Sequence, residues 1–457
     1  MIRVLERPSI ILKEMIIDYL DFNEDSLADE YALDIGRYPY VQIGNLVIQT
    51  DNTTKIVLHN DQFLPKVEIF FEEPTMKLID ELFPLDDEIV SLFIQSSSEN
   101  LMPVRMDFKI TEFNVVRSDK RINYVIVGLL NVDYLYYQDT FADNNTSFGI
   151  LRKLAKKSNL GFATNIDDTD DLMMWINAND SNMEFIQDIV KHSYKSDNSF
   201  MLSYIDFYYN LNYVDIETEL DQDISEVRGI LSGSNFSKKR KDRITNLILT
   251  NHPDVINSNL YISKYNVINN STAVNLDIGY RKYITYYDKV GNVRYEFVLD
   301  SLSTSEENNA ILKGRKGEFS QVFKNSINSA YLGVIDTDNV HPNYLYAKVQ
   351  NEQNLDFLQK VRMKITLNSM NFNLYRFQKI QIELYKLEEL NMDEVPNNEN
   401  DTENKRSIDW DKNRLNQRLS GEWLIIAINY TFNKHGGFQQ EVTLARRELG
   451  FNDEDFK

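Results

Sequence analysis

TSFGILRKLAKKSNLGFATNIDDTDDLMMWINANDSNMEFIQDIVKHSYKSDNSFMLSYIDFYYNLNY, residues 146–213, is the stretch in which the hydrophobic period of the chain changes. Ile150, Leu151, Leu154 and Ala155 recur at helical spacing behind Thr146 or Ser147, either of which can cap a helix start. Asn159 predicts the stop, because Asn tolerates the left-handed backbone that ends helices. A second helix is predicted from Ser181. Ser181 and Glu184 stand at capping-box spacing, and Phe185, Ile186, Ile189 and Val190 supply an apolar face. A WIN turn at 175–177 lies between the helices. The aromatic run 199–216 then predicts one long strand, with Met201, Ser203, Ile205, Phe207, Tyr209, Leu211 and Tyr213 on one face. That face reads as core, with a subunit interface as the alternative.

On both sides of this stretch the chain reads as β. Short runs at 40–50, 55–59, 66–72 and 88–95 are separated by Asn, Asp and Pro clusters. Residues 103–116 and 121–137 read as a long hairpin, with Val104, Met106, Phe108, Ile110 and also Glu112 on one face. Beyond residue 244 the pattern returns in RITNLILTN, NYLYAKVQ, KVRMKITL and KIQIELYKL, and it closes in a hairpin over 421–447 whose loop holds Gly436 and Gly437. Residues 10–35 are ambiguous between a helix and an extended arm, and 300–332 could hold one helix. Residues 223–245 read as a connector carrying the basic run Lys238, Lys239, Arg240, Lys241 and Arg243, an exposed linker or a dock for an acidic surface. Residues 390–418 are too polar to offset ordering and predict a mobile loop. The fold class is therefore mainly β with an α/β insert. The domains are a first β domain at 1–145, the insert at 146–222 and a second β domain at 223–457.

Composition removes several functions. The 457 residues include no cysteine, so disulfides and thiolate metal sites are excluded. His59, His192, His252, His341 and His435 are scattered, with no two at metal-ligand spacing. A formal net charge of −21 argues against binding a phosphate backbone and suits solubility, or a wall past which DNA slides. The cluster Asp167, Asp168, Asp170 and Asp171 invites a calcium reading, but Leu172 stands where a calcium loop needs glycine, so a solvated turn is expected. No nucleophile elbow, P-loop or dinucleotide fingerprint occurs. With 70 acidic residues, a lysozyme-like carboxylate pair at some spacing is certain and therefore uninformative. No catalytic, cofactor-binding or metal-binding residue is assigned, and no cofactor is expected. Glu6, Lys13, Glu14 and Asp18 break the apolar N-terminus, and no run of apolar residues is long enough to cross a membrane as a helix.

The order of elements carries a resemblance. Leu151, Leu154, Leu160, Gly161, Phe162, Trp175, Asn177, Phe185, Ile186 and Ile189, followed by Ser420, Gly421, Glu422, Trp423 and Leu424 leading into IIAINYTF, are its residues. In this order the chain resembles the baseplate hub protein family of contractile-tailed bacteriophages, similar to phage late control protein D and to the base of type VI secretion spikes. The resemblance implies two tail-tube-like antiparallel β-barrel domains flanking a small α/β domain. It implies a homotrimer, a ring that adapts the hexameric tail tube protein to a trimeric central spike protein beside other baseplate proteins. DNA would pass through without specific binding, and no membrane insertion is implied. The place implied is the virion tail baseplate, assembled in the host cytoplasm. Only a short tail follows residue 447, so the spike is expected to be a separate protein. A wedge or adaptor component is the alternative, and a cell-wall hydrolase the alternative from the enzyme class.

Overall fold

The computed structural model describes residues 2–12, 38–44, 46–48, 52–73, 87–94, 104–118, 121–197, 199–221, 248–251, 256, 260–271, 273–274, 281–300, 327–335, 339–367, 370–371, 374–385, 415–416, 418–434 and 437–447. The basic run, nearly all of the 390–418 loop, most of 10–35 and residues 301–326 lie outside the described residues.

Among the described residues, thirteen strands form one sheet, curled into a half-barrel. Its hydrogen-bonded order is 262–269, 361–367, 437–446, 421–433, 53–60, 66–73, 121–130, 104–118, 89–94, 40–43 and 46–48, with 379–383 added beside 421–433 and 248–250 beside 379–383. The N-terminal and C-terminal β segments therefore meet strand to strand, from Ile428 opposite Asn60 to Asn433 opposite Lys55. Alternation builds the strands. Val67, Ile69 and Phe71 are buried on one strand, as are Val361, Met363, Ile365 and Leu367 on another. The expected hairpins 104–118/121–130 and 421–433/437–446 both form. Glu112 does not share the buried face of Val104, Met106 and Phe108. A bulge between Ile110 and Glu112 shifts the register and leaves Glu112 exposed.

The insert holds helix α1 (Ser147–Lys157), helix α2 (Asn182–His192) and the short helix α3 (Ile216–Leu220). The Thr146 side chain accepts from the Gly149 N–H, and α1 ends in a Schellman motif. There Leu160 N–H donates to the Ala155 carbonyl at 2.9 Å and Asn159 N–H to that of Lys156 at 3.1 Å, with Asn159 at φ 58°. The predicted capping box starts α2, with Ser181 and Glu184 exchanging hydrogen bonds. A four-stranded sheet, ordered 3–6, 161–164, 210–215, 201–205, and a two-stranded ribbon of 138–145 and 173–181 complete the unit. One continuous core runs from Ile150, Phe162 and Phe185 of this unit to Ile56 and Trp423 of the large sheet.

Four local readings are corrected. The aromatic run 199–216 is a hairpin of 201–205 and 210–215, because Asp206 folds a turn around its carboxylate. WIN lies within strand 173–181, and the chain bulges rather than turns after it, between Ala178 and Ser181, where Asn177 Oδ1 accepts from Asp180 N–H at 2.9 Å. Residues 133–136 leave the hairpin as a 3-10 turn, and the next strand, 138–145, pairs with 173–181. NYLYAKVQ opens helix α4 (Tyr344–Leu358) rather than a strand. Leu345, Ala347 and Val349 mimic alternation, but this helix is buried on several sides, including at Gln350, Asn351 and Gln353, so it shows no single apolar stripe.

Candidate assembly surfaces

The acidic loop is an internal fastening. Asp171 is fully buried, and its carboxylate accepts from the Ser147 N–H at 2.8 Å, the Thr169 hydroxyl at 2.7 Å and the Tyr194 N–H at 3.0 Å. It thus satisfies an otherwise unpaired N–H in the first turn of α1, where the helix dipole favours negative charge. Asp168 accepts from the Thr146 hydroxyl at 2.8 Å and from Thr169 N–H at 2.9 Å, and Asp167 pairs with Arg3. The solvated-turn reading therefore misses Asp171. Two further carboxylates act in the same way. Asp215 accepts from Phe200 N–H at 3.0 Å, Lys195 Nζ at 2.9 Å and the Thr218 hydroxyl at 2.6 Å. Asp206 accepts from the N–H groups of Tyr208 and Asn210 and from the Asn212 amide. Burial nevertheless outweighs these donors and pushes its pKa up.

The aromatic run is core, and its hydroxyls tie the insert to both β segments. Tyr209 accepts from Asp107 N–H at 2.8 Å, and Tyr204 donates to the Arg376 carbonyl at 3.2 Å with the Arg376 guanidinium 4.8 Å from its ring centroid. Tyr213 lies 3.0 Å from the Ser147 hydroxyl. Desolvation raises the pKa of all three phenols, which stay protonated and neutral.

Helix α4 is clasped by the end of α2. The Asn351 amide donates to the carbonyls of Lys191 at 3.0 Å and Ser193 at 3.1 Å, and its oxygen accepts from Met201 N–H at 3.0 Å. An asparagine 160 residues downstream of Lys191 thus caps the C-terminus of α2. His192 and His341, far apart in sequence, meet here. His341 Nε2 lies 3.0 Å from the His192 carbonyl oxygen, and the His192 ring stacks on Tyr344 with centroids 3.9 Å apart. Burial lowers the pKa of His341, whose Nδ1 has no hydrogen-bond partner among the described residues. Among the described residues, no group of three or more His, Asp or Glu side chains converges on a point where an ion could sit. His252 and His435 lie outside them.

The motif Ser420–Trp423 is held from below by Arg446. Its guanidinium donates to the carbonyls of Glu422 at 2.8 Å, Ser420 at 2.9 Å and Arg418 at 3.2 Å, and it lies 4.3 Å from the Trp423 ring centroid. Burial lowers the Arg446 pKa to about 9. Gly421 has φ 107°, and a Cβ there would meet Arg446 at 2.8 Å, so both backbone and space call for glycine.

The outward surfaces are strand faces. Strand 262–269 forms one end of the large sheet and exposes Lys264, Tyr265, Asn266 and Ile268. The ribbon exposes Leu172, Met174 and Ile176, while Trp175 faces inward and donates to the Asn145 carbonyl at 3.0 Å. Sequence reasoning singled out Trp175 but not its exposed neighbours.

No family model matches the chain, and no curated protein matches it by sequence. Solved structures do. The tail protein from Neisseria meningitidis MC58 aligns with 89% of this chain and 96% of its own, at 8% identity and a TM-score of 0.49. The 43 kDa tail protein of prophage MuSo2 from Shewanella oneidensis aligns with 90% of this chain and 98% of its own, at 10% identity and a TM-score of 0.50. The E. coli c3393 protein, described as a type VI secretion component with structural similarity to the T4 bacteriophage tail proteins gp27 and gp5, aligns over 90% and 77%, at 9% identity and a TM-score of 0.41. At such identities the likeness is one of fold. Along nearly the whole length of both chains, that fold is the one of the MuSo2 phage tail protein, in line with the resemblance to tail-hub proteins drawn from residues 151–189 and 420–424.

Proposed function

We propose that this chain is a structural component of a phage tail, the hub of a contractile-tail baseplate, and that it acts by assembly rather than by catalysis. Three copies form a ring. One face of the ring meets the hexameric tail tube, the other holds a trimeric spike, and DNA passes through the middle. In this reading the β segments at 1–145 and 223–457 are the parts that mimic tube subunits, and the unit at 146–222 packs against the sheet they share. The observation that carries the reading is the fold shared with a phage tail protein across 90% of the chain and 98% of the relative. The way the polar residues are used supports it, since Asp171, Asp206 and Asp215 spend their carboxylates on backbone N–H groups. Co-purification with the tube and spike proteins of the same virion tests it. Retention of both partners is expected. Retention of neither, or clearing of peptidoglycan in a zymogram that one Glu substitution abolishes, contradicts it.

A further inference from the structure

Residues 2–9 are held at their two ends and bare between them. At one end the Ile2 side chain is 1% exposed, in a cluster where three parts of the molecule meet. Tyr204, Val214 and Leu220 come from the insert, Leu358 from α4, and Phe377 and Leu424 from the C-terminal β segment. At the other end the Ser9 N–H donates to the Asn159 carbonyl at 2.9 Å, just past α1. Among the described strands, 3–6 pairs only with 161–164, with Arg3 opposite Thr164, Val4 opposite Ala163 and, after a bulge, Glu6 opposite Phe162. Neither face of 3–6 is covered, since Arg3 and Val4 point to opposite faces and both are exposed, as is Leu5. Its ion pairs, Arg3 with Asp167 and Glu6 with Arg152, reach into solvent, where such pairs add little. The partner strand is the reverse. All four residues of 161–164 are buried, and Gly161 is shaped to its neighbour. A Cβ there would meet the Glu6 carbonyl oxygen at 2.8 Å and Pro8 Cδ at 2.9 Å, besides the Asn210 side chain.

We infer that residues 2–9 are a strap that opens and closes on its own over the joint between the insert, α4 and the large sheet. The balance of contacts sets this. Burying one aliphatic side chain holds a segment shut by a factor of about 10 to 100, and the rest of the strap adds only a few backbone bonds bordered by water. Strand 210–215, on the far side of 161–164, is buried at every residue, so it comes apart only with the unit as a whole. Opening of the strap is therefore separate from unfolding. Closed, the strap pins three parts of the molecule together through Ile2. Open, it bares the edge of 161–164, empties the Ile2 site and loosens the joint. The inference concerns the chain alone, so it holds or fails apart from the tail reading.

The chain has no cysteine, so a single introduced thiol reports its own burial. Labelling of the full chain by a small thiol reagent tests the inference with Ile2→Cys. Val4→Cys is the exposed reference, and Val214→Cys, at a fully buried position of the same cluster as Ile2, is the buried one. Ile2→Cys is expected to label about 10 to 100 times more slowly than Val4→Cys, at a rate unchanged by low urea. Val214→Cys is expected to label more slowly still, at a rate that climbs with urea. Hydrogen exchange of the wild type reads the same opening without a variant. Amides of 3–6 should exchange at least roughly tenfold faster than those of 210–215, and without their urea dependence. Equal rates and equal urea dependence for Ile2→Cys and Val214→Cys, with 3–6 and 210–215 exchanging together, mean that the strap leaves only when the unit unfolds, and overturn the inference. Ile2→Cys labelling as fast as Val4→Cys, with the amides of 3–6 unprotected in the wild type, means that the strap is never closed, and overturns it too.

Discussion

The acidic loop at 167–171 and the ribbon strand at 173–181 are neighbours in the chain and opposite in use. The loop is dense in charge, and its buried carboxylate, that of Asp171, faces inward to bind α1 and the Tyr194 backbone, while Asp167 pairs with Arg3 at the surface. The strand is plain in composition, and its Met174 and Ile176 face outward. Charge density drew attention to the wrong segment. What a residue does here depends on the direction in which its element turns it, and a carboxylate that satisfies three donors has little capacity left for a ligand.

Asp171 gives the sharpest way to break this contrast. Asp171→Ala strands the Ser147 and Tyr194 N–H groups and the Thr169 hydroxyl in a buried site. It should cost about 3–5 kcal/mol in urea unfolding. A loss near zero would return the loop to the surface. Asn351→Leu should cost about 2–3 kcal/mol, because it removes the cap on the C-terminus of α2, and native-state hydrogen exchange should quicken at residues 186–193.

The histidine contact makes a pH prediction. His341 has a folded pKa below its unfolded value, so the unfolded chain binds the proton more readily. Its share of stability is therefore complete above the unfolded pKa of about 6.5 and falls away as the pH drops below it. Thermal melts of wild type should lose more between neutral and mildly acidic pH than those of His341→Gln. Identical pH slopes would contradict the buried neutral imidazole. Thr146→Ala should cost about 1 kcal/mol by removing the cap of α1. At the bottom of the scale, Ile176→Ser should change the stability of the isolated chain by less than about 0.5 kcal/mol, the signature of a surface position.

How much of this was legible depended on how local the cause was. The Thr146 cap, the Asn159 stop and the Ser181–Glu184 box lie within a few residues of what they act on, and all were readable. The mainly β class and the closing hairpin followed from period-2 alternation. The aromatic hairpin was missed because alternation continues through Asp206, although the Asp and Asn residues at 206, 210 and 212 were a turn signal. Helix α4 was missed because it is buried on several sides, and a helix without a single apolar stripe has no period to detect. Which side of the ribbon faces outward was not readable at all. Strand 173–181 alone is apolar on both sides at Trp175 and Ile176, and only the packing of the ribbon buries Trp175 and exposes Ile176.

Class averages of the purified full chain by electron microscopy, alone and mixed with the tail tube protein of the same virion, test the central claim most directly. A threefold ring with an open centre that caps one end of the tube is predicted. Single particles that neither form rings nor sit on the tube end would contradict it.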